Sequence, residues 1–448
     1  MVNMKQIPQF LIASPCSGSG KTTVSSGLMA ALVRRGLLVQ PYKCGPDYID
    51  TKFHTDVCQR PSLNLDTFMA SPDHARQIYA HYASDADVCV IEGMMGLFDG
   101  YERDLGSSSE IAALLGLPVV LVVDARSAAY STAALLDGFR RFRPDIHIAG
   151  VIFNKVGSPR HGQMLQETCA DTGLLCLGCL PKDEAVEQKS RYLGLDFSQE
   201  KKGASMNYLA EHIERYIDIS SLLQAVTRPL EENEFPFSKH QSEDLHIAVL
   251  RNNESFSFIY AEHLDILRQM GQVTFLDPEE DTQLPEGTDL LYLPGGYPEK
   301  HAARLSEAKD CMESIRDYIE QGGRALAECG GMIYLSQGIW FDESPLFTPL
   351  CGILPFTISN RKEERKLSLG YRQFQYRGQS LRGHEFHYTQ FYKEDRSSLP
   401  IPIAQVYNAR KQEVPTPIFR YKNLIASYTH LYWGEINLLQ LFDKTENK

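Results

Sequence analysis

The chain of 448 residues is 43% hydrophobic and 23% charged, a balance that excludes a disordered chain, a collagen and a small disulfide-stapled scaffold. At roughly 150 residues per domain, this length predicts about two or three domains. With 45 Lys+Arg against 57 Asp+Glu the net charge is −12, and an acidic chain lacks the clustered cations that phosphate neutralisation needs, so no nucleic-acid partner is expected.

From the N-terminus, Met1 to Gln9 shows no charged-then-apolar leader, because a phosphate-loop pattern begins almost at once. Strand-like apolar runs follow at Phe10 to Ser14, Leu38 to Tyr42, Val88 to Ile91, Val119 to Val123, Ile148 to Phe153 and Leu174 to Leu180. Helical patterns lie between several of them, at Thr22 to Arg35 and Ser127 to Phe142. This alternation predicts a mostly parallel, doubly wound α/β sheet. An amphipathic stretch, Met206 to Val226, closes the block, and the polar, Pro-containing segment from Thr227 reads as a linker. The expected division is residues 1–226, a linker over 227–245, and a second domain over 246–448. In that second block Ile247 to Leu250, Val273 to Leu276, Leu290 to Leu293 and Arg324 to Ala327 read as strands, with helices at Phe256 to Met270 and Ala302 to Gln321. After Gly331 the pattern turns β-rich and irregular.

The longest apolar runs, such as Pro118 to Val123, fall far short of the roughly 20 residues that span a bilayer, so no membrane partner is expected. The ten cysteines follow no spaced framework, and the close pair Cys176-Leu-Gly-Cys179 reads as two small buried hydrophobes on a strand. The expected compartment is the reducing cytoplasm.

Two segments carry chemistry. Ala13-Ser-Pro-Cys-Ser-Gly-Ser-Gly-Lys-Thr-Thr23 follows a strand and opens a helix. Ser17, Gly18, Ser19 and Gly20 let backbone N–H groups turn toward phosphate oxygens, and the helix N-terminus adds positive potential. Lys21 reaches the β- and γ-phosphates, the Thr22 hydroxyl is a ligand for Mg²⁺, and Thr23 completes the cradle for ATP. Pro15 stands where the strict pattern has Gly. Carboxylates come from two further strand ends. Lys43-Cys-Gly-Pro-Asp-Tyr-Ile-Asp50 brings Asp47 and Asp50, and Glu92-Gly-Met-Met-Gly-Leu-Phe-Asp99 brings Glu92 and Asp99. Loops at the carboxyl ends of parallel strands gather at one rim, which places these oxygens beside the phosphates; Thr22, Asp47 and Glu92 are the expected metal ligands. Asn154, after another strand, is placed to read the nucleotide base.

The second segment, Arg324-Ala-Leu-Ala-Glu-Cys-Gly-Gly-Met332, is a strand running into a sharp turn and a helix. It puts Cys329 at the tip of a nucleophile elbow, where a helix N-terminus is expected to favour the thiolate. Backbone N–H groups of Gly330 and of Gly296 and Tyr297, in Leu293-Pro-Gly-Gly-Tyr-Pro-Glu299, are the expected oxyanion donors. The base that a thiol nucleophile needs is His430 in Ser427-Tyr-Thr-His430, ahead of His384 and His387 in Gly383-His-Glu-Phe-His387.

In this order on one chain, these motifs resemble the cobyrinate a,c-diamide synthase family, glutamine-dependent amidoligases of cobalamin biosynthesis. The resemblance implies a dethiobiotin-synthetase-like P-loop domain joined to a class I glutamine amidotransferase domain, with Cys329 as nucleophile and His430 as its partner. It implies ATP, L-glutamine and cobyrinate as ligands, acyl phosphates on the a and c acetates, two ATP-consuming rounds and a shielded path for ammonia, with a homodimer as a further expectation. Where many class I amidotransferases carry Glu two residues after the His, this chain has Tyr432. Where relatives usually have His in Ser190-Arg-Tyr-Leu-Gly-Leu195, it has Tyr192. Arg191, Arg361, Arg365 and Arg372 are candidates for the corrinoid carboxylates. Competing readings are the same amidation on hydrogenobyrinate or nickel sirohydrochlorin, cobyric acid synthase, and a P-loop assembly ATPase with an inert appended domain. Cys16 argues against the last of these, because assembly ATPases usually have a signature lysine there.

Overall fold

The computed structural model describes residues 5–183, 199–237, 244–252, 254–395 and 399–442, with 199–205 by backbone only; Arg191 and Tyr192 lie outside the described residues. The chain divides into two units, Met1–Pro236 and Phe237–Lys448.

In the first unit β1 (Gln6–Ala13), β2 (Val39–Cys44), β3 (Leu63–Leu65), β4 (Val88–Glu92), β5 (Val119–Asp124), β6 (Ile148–Val156) and β7 (Cys176–Pro181) lie side by side in the order β3-β2-β4-β1-β5-β6-β7, every pair parallel. Parallel strands covered by helices on both faces read as unbroken apolar runs rather than alternating ones. Val88 to Ile91 and Val119 to Val122 are all fully buried, and each large aliphatic side chain withdrawn from water contributes about 1.5–3 kcal/mol. The chain reverses its direction of travel across the sheet at β1, so the loops after β1, β2 and β4 share the rim where such folds bind ligands.

Some expected elements end differently. The helix expected from Ser127 begins at Thr132, because Ser127 sits in the left-handed region at φ 57° and cannot continue a helix. Met206 to Val226 is two helices, Gln199–Tyr216 and Ile219–Val226, the second capped by the Asp218 carboxylate accepting from Ser221 N–H at 3.0 Å. Thr227–Pro229, read as the start of a linker, is a strand (β8) antiparallel to the first residues of β1. The Gln9 amide ties it down by donating to Arg228 O at 3.1 Å and Pro229 O at 3.2 Å.

In the second unit β9 (Leu245–Leu250), β10 (Gly271–Leu276), β11 (Leu290–Leu293) and β12 (Arg324–Glu328) form a parallel sheet in the order β10-β9-β11-β12. The late strand Leu424–Ser427 adds parallel to β12, and Ile418–Tyr421 closes the edge antiparallel. The expected helix Phe256 to Met270 begins at Ala261, because Ser257 and Phe258 N–H are held by Gly295 O, each at 3.0 Å. Ala302 to Gln321 lies in two helices, Pro298–Glu307 and Lys309–Glu320, parted at Ala308. The β-rich region after Gly331 contains the hairpin Ser368–Tyr376 with Gln379–His387, and His430–Tyr432 pairs antiparallel with the second of these strands.

Candidate functional site

The loop after β1 turns into the helix Lys21–Arg34 through Gly20, at φ 94° and ψ 23°. A Cβ there would collide with the Asn154 amide, so both the dihedral and the close approach require glycine. Ser17 and Gly18 lie exposed at the loop tip, Ser19 is buried, and Thr23 is half-buried in the first helical turn. Lys21, only 7% exposed, folds back across the loop and donates to Ser14 Oγ at 2.9 Å and Met95 O at 2.5 Å. The first-turn N–H groups of any helix lack intrahelical partners and carry positive potential, which suits the concavity to phosphate. Asn154, expected to read the base, instead braces this loop. Its Nδ2 donates to Ser19 O at 3.0 Å and its Oδ1 accepts from Lys155 N–H at 2.9 Å.

Beneath the loop lies a buried ionic cluster centred on Glu92. One carboxylate oxygen accepts from Thr22 Oγ1 at 2.6 Å and Lys43 Nζ at 2.9 Å. The other accepts from Ser25 Oγ at 2.7 Å and lies 2.8 Å from His54 Nε2. Lys43 also pairs with Asp50 at 2.8 Å. Burial alone would raise the Glu92 carboxyl, but Lys43 and His54 hold it well below the usual carboxylate range. Burial alone would lower Lys43, yet Asp50 and Glu92 raise it. Asp50, expected to reach the nucleotide, is therefore bound to Lys43. Asp47 caps the turn into the helix Ile49–Cys58, accepting from Ile49 and Asp50 N–H at 2.9 Å each. Exposed Asp99 accepts from Gly96 N–H at 3.0 Å. Lys43 is the participant that sequence reasoning passed over; a lysine ending a strand just before Gly-Pro-Asp was its signal.

Among the described residues no group of three or more His, Cys, Asp or Glu could enclose a metal ion. Both Glu92 oxygens are taken by Thr22, Lys43, Ser25 and His54, but the Thr22 oxygen, whose hydrogen points to Glu92, keeps lone pairs for an Mg²⁺ whose other ligands are phosphate oxygens and water. Thr22 therefore fits that ion as ligand and Glu92 fits as the group that orients it.

In the second unit β12 ends at Glu328, and Cys329 turns the chain at φ 45° and ψ −103° into the short helix Gly330–Leu335. A β-carbon residue at positive φ is strained, and such strain clusters at reactive turns. The turn is held by Cys329 N–H donating to Ser427 O at 2.7 Å. Gly330 packs so closely on the Gly295-Gly296 turn that a Cβ would come within 2.9 Å of Gly296 N, bringing two candidate oxyanion donors together. Tyr297 does not join them, because its N–H donates to Glu254 O at 3.1 Å. The expected thiolate is also corrected. Burial, reinforced by Glu299, pushes the Cys329 thiol well up despite the Gly330 N–H; six helical residues do not outweigh desolvation.

His430 lies against Gly295, where a Cβ would strike its ring, and pairs in register with His384. Burial, then His384 and His387, push it down to about 3. Burial thus disfavours the charged form of each group, the thiolate of Cys329 and the imidazolium of His430. Glu328, another residue missed, is buried and accepts from Tyr292 Oη at 2.7 Å and Leu431 N–H at 3.0 Å; burial pushes its carboxyl up to about 8. The Tyr432 hydroxyl turns away, to Glu262 at 2.7 Å. Of the arginines expected on a corrinoid, Arg372 is instead buried against Glu385 at 2.5 Å. Arg361 lies over Trp340 and Tyr392, and exposed Arg365 donates to Asn360 Oδ1 at 2.9 Å.

Among the described residues no helix is long and apolar enough to cross a membrane. Residues 10–194 match the CobQ/CobB/MinD/ParA nucleotide binding domain, and residues 246–437 the CobB/CobQ-like glutamine amidotransferase domain. The cobyrinate a,c-diamide synthase of Caldanaerobacter subterraneus subsp. tengcongensis is 38% identical over 436 residues, covering 94% of each chain. The hydrogenobyrinate a,c-diamide synthase of Brucella ovis is 38% identical over 432 residues, covering 94% of this chain and 98% of its own. The cobyrinate a,c-diamide synthase of Priestia megaterium is 35% identical over 441 residues, covering 95% of this chain and 94% of its own. Over nearly its whole length, therefore, the chain belongs to the a,c-diamide synthase family of cobalamin biosynthesis, carbon–nitrogen ligases that join a nucleotide-binding domain to a glutamine amidotransferase domain.

Proposed function

We propose that this enzyme amidates the a and c acetate carboxylates of cobyrinate, using ATP and nitrogen from glutamine. The observation that carries the reading is the strained Cys329 turn packed on Gly296, with His430 beside it, on the same chain as the Lys21–Thr22–Glu92 cradle. Amide formation from a carboxylate is uphill because hydroxide is a poor leaving group. Transfer of the γ-phosphoryl of ATP to the carboxylate gives an acyl phosphate and ADP; ammonia then attacks the carbonyl carbon and phosphate leaves. Lys21 binds the transferring phosphoryl and offsets its charge, while the loop N–H groups hold the remaining phosphates. Thr22, oriented by Glu92, would hold Mg²⁺, which neutralises phosphate charge when bound.

In the other unit, Cys329 attacks the side-chain carbonyl of glutamine as His430 takes the thiol proton. The Gly330 and Gly296 N–H groups receive the oxyanion, and the proton passes to the leaving ammonia. Water then cleaves the glutamyl thioester to glutamate and restores the thiol. A second macrocycle, hydrogenobyrinate, is favoured by one observation: relatives named for it are as similar as those named for cobyrinate. The reading predicts that Cys329→Ser loses glutamine-dependent amidation but keeps ammonium-dependent amidation, followed by mass spectrometry with cobyrinate and hydrogenobyrinate supplied in parallel. Equal loss with both nitrogen donors would overturn the division of labour, and product from hydrogenobyrinate alone would replace the substrate.

A further inference from the structure

The Gly383-His-Glu-Phe-His387 segment builds a second buried network beside His430. Both ring nitrogens of His387 face acceptors: Nδ1 lies 2.7 Å from the Thr389 carbonyl oxygen and Nε2 lies 2.7 Å from Glu385 Oε1. The other Glu385 oxygen accepts from Arg372 Nε at 2.5 Å and Thr416 Oγ1 at 2.6 Å. Burial alone would raise Glu385, but the hydrogen bond from His387 and the Arg372 guanidinium hold it at about 2. The Thr389 carbonyl can only accept, so Nδ1 donates to it, and Nε2 shares the hydrogen of the Glu385 contact. The His387 ring and Arg372 thus grip one buried carboxyl group.

The His387 ring stacks on Tyr428 with ring centroids 3.6 Å apart and planes at 11°. Tyr428 Oη also meets Thr389 Oγ1 at 3.2 Å, which ties both ends of the stack to one strand corner. Tyr428 lies between Ser427, whose carbonyl grips Cys329 N–H, and His430. In addition, Gly383 packs on His430 so closely that a Cβ would strike the His430 carbonyl. Resting on the glutaminase reading above, we infer that His387 is a positioning residue for glutamine hydrolysis: held by Glu385 and Thr389, it clamps Tyr428 and so sets the corner that carries His430 and holds the Cys329 turn.

The groups bearing on His430 electrostatically are His384, His387 and Glu385, all on the strand Gln379–His387. His387 is among the groups that push His430 down, so removing it moves the protonation of His430 to higher pH. The test uses the whole chain as His387→Phe, which keeps a stacked ring without donors or charge, and His387→Gln, which keeps a donor without charge. For each, glutamate release from glutamine and ammonium-dependent ADP formation with corrinoid acid and ATP are measured across pH. A misplacement of about 1 Å costs roughly a hundredfold in rate, so kcat for glutamate release should fall by about that factor. KM should change little, the acid limb of kcat/KM should move up in pH, and the ammonium-dependent rate should hold. His387→Gln should be less impaired than His387→Phe. Glutamate release within about twofold of the parent, an unmoved acid limb, or parallel loss of the ammonium-dependent rate in both variants would each overturn the inference. Glutamine hydrolysis surviving in Cys329→Ser would instead overturn the glutaminase reading beneath it.

Discussion

Replacing Lys43 with Met tests whether the buried cluster of the first unit is held by its charges. Lys43 Nζ lies 2.8 Å from Asp50 and 2.9 Å from Glu92, and all three side chains are 5% exposed or less. Methionine keeps most of the volume and removes the cation, leaving two carboxylates buried around an apolar tail. Removing one partner of a buried pair costs about 3–5 kcal/mol, chiefly because the remaining charge is stranded. Both tryptophans, Trp340 and Trp433, lie in the second unit, so their fluorescence reports on that unit and serves as a comparison. Amide hydrogen exchange of β1 and β4 is the direct assay. At tenfold per 1.4 kcal/mol, the slowest amides there should exchange on the order of a hundred- to a thousandfold faster. Adding Asp50→Asn should recover part of the loss by removing one stranded charge. The pH dependence has a fixed sign. Glu92 is depressed, so its contribution is complete above the unfolded value of about 4.3 and is lost as pH falls through the folded one. Lys43 is raised, so its contribution is complete below about 10.4 and is lost as pH rises through the folded value. Acceleration below tenfold in Lys43→Met, or no recovery in the double variant, would refute the account.

Glu328→Gln should flatten the pH dependence of the second unit. A buried carboxyl raised to about 8 stabilises fully below its unfolded value near 4.3, and that contribution drains away as pH rises to the folded value, by about 5 kcal/mol at most. In urea unfolding followed by tryptophan fluorescence, the variant should gain on the parent between about pH 4.5 and about pH 8; parallel curves there would disprove the burial argument. Gly20→Ala forces a Cβ into φ 94° and against Asn154, a strain of about 1–3 kcal/mol. It should weaken nucleotide binding by about tenfold or more while leaving glutamate release untouched; unchanged affinity by calorimetry would exclude a close-fitting loop.

The two sheets were legible because parallel strands buried on both faces leave continuous apolar runs, and β1, β4, β5 and β12 fall where those runs lie. Helix ends were less so. Ser127 enters the left-handed region, and Ser257 and Phe258 are captured by the Gly295 carbonyl, choices made by tertiary contacts rather than by local periodicity. At the candidate sites residue type was readable, but partner was not. Asp50 and Arg372 look like ligand-binding charges until the fold gives each a buried counter-ion. The protonation of Cys329 depended on how deeply the turn is covered, which no spacing rule encodes.

Burial works in opposite directions in the two units because the partners differ. Around Glu92 a lysine and a histidine answer desolvation, so the carboxylate stays charged and the cluster is rigidly ionic. Around Cys329 burial and the Glu299 carboxyl push the thiol up, and burial with His384 and His387 pushes His430 down. The position two residues after His430, where many relatives of this fold place a carboxylate, carries a tyrosine turned toward Glu262. The carboxylate at this corner is Glu328, and it holds the Leu431 backbone rather than the imidazole. With Ser427 O on Cys329 N–H and His387 stacked on Tyr428, the corner is fastened at three points along its own chain. The place of the imidazole is then set through the backbone that carries it.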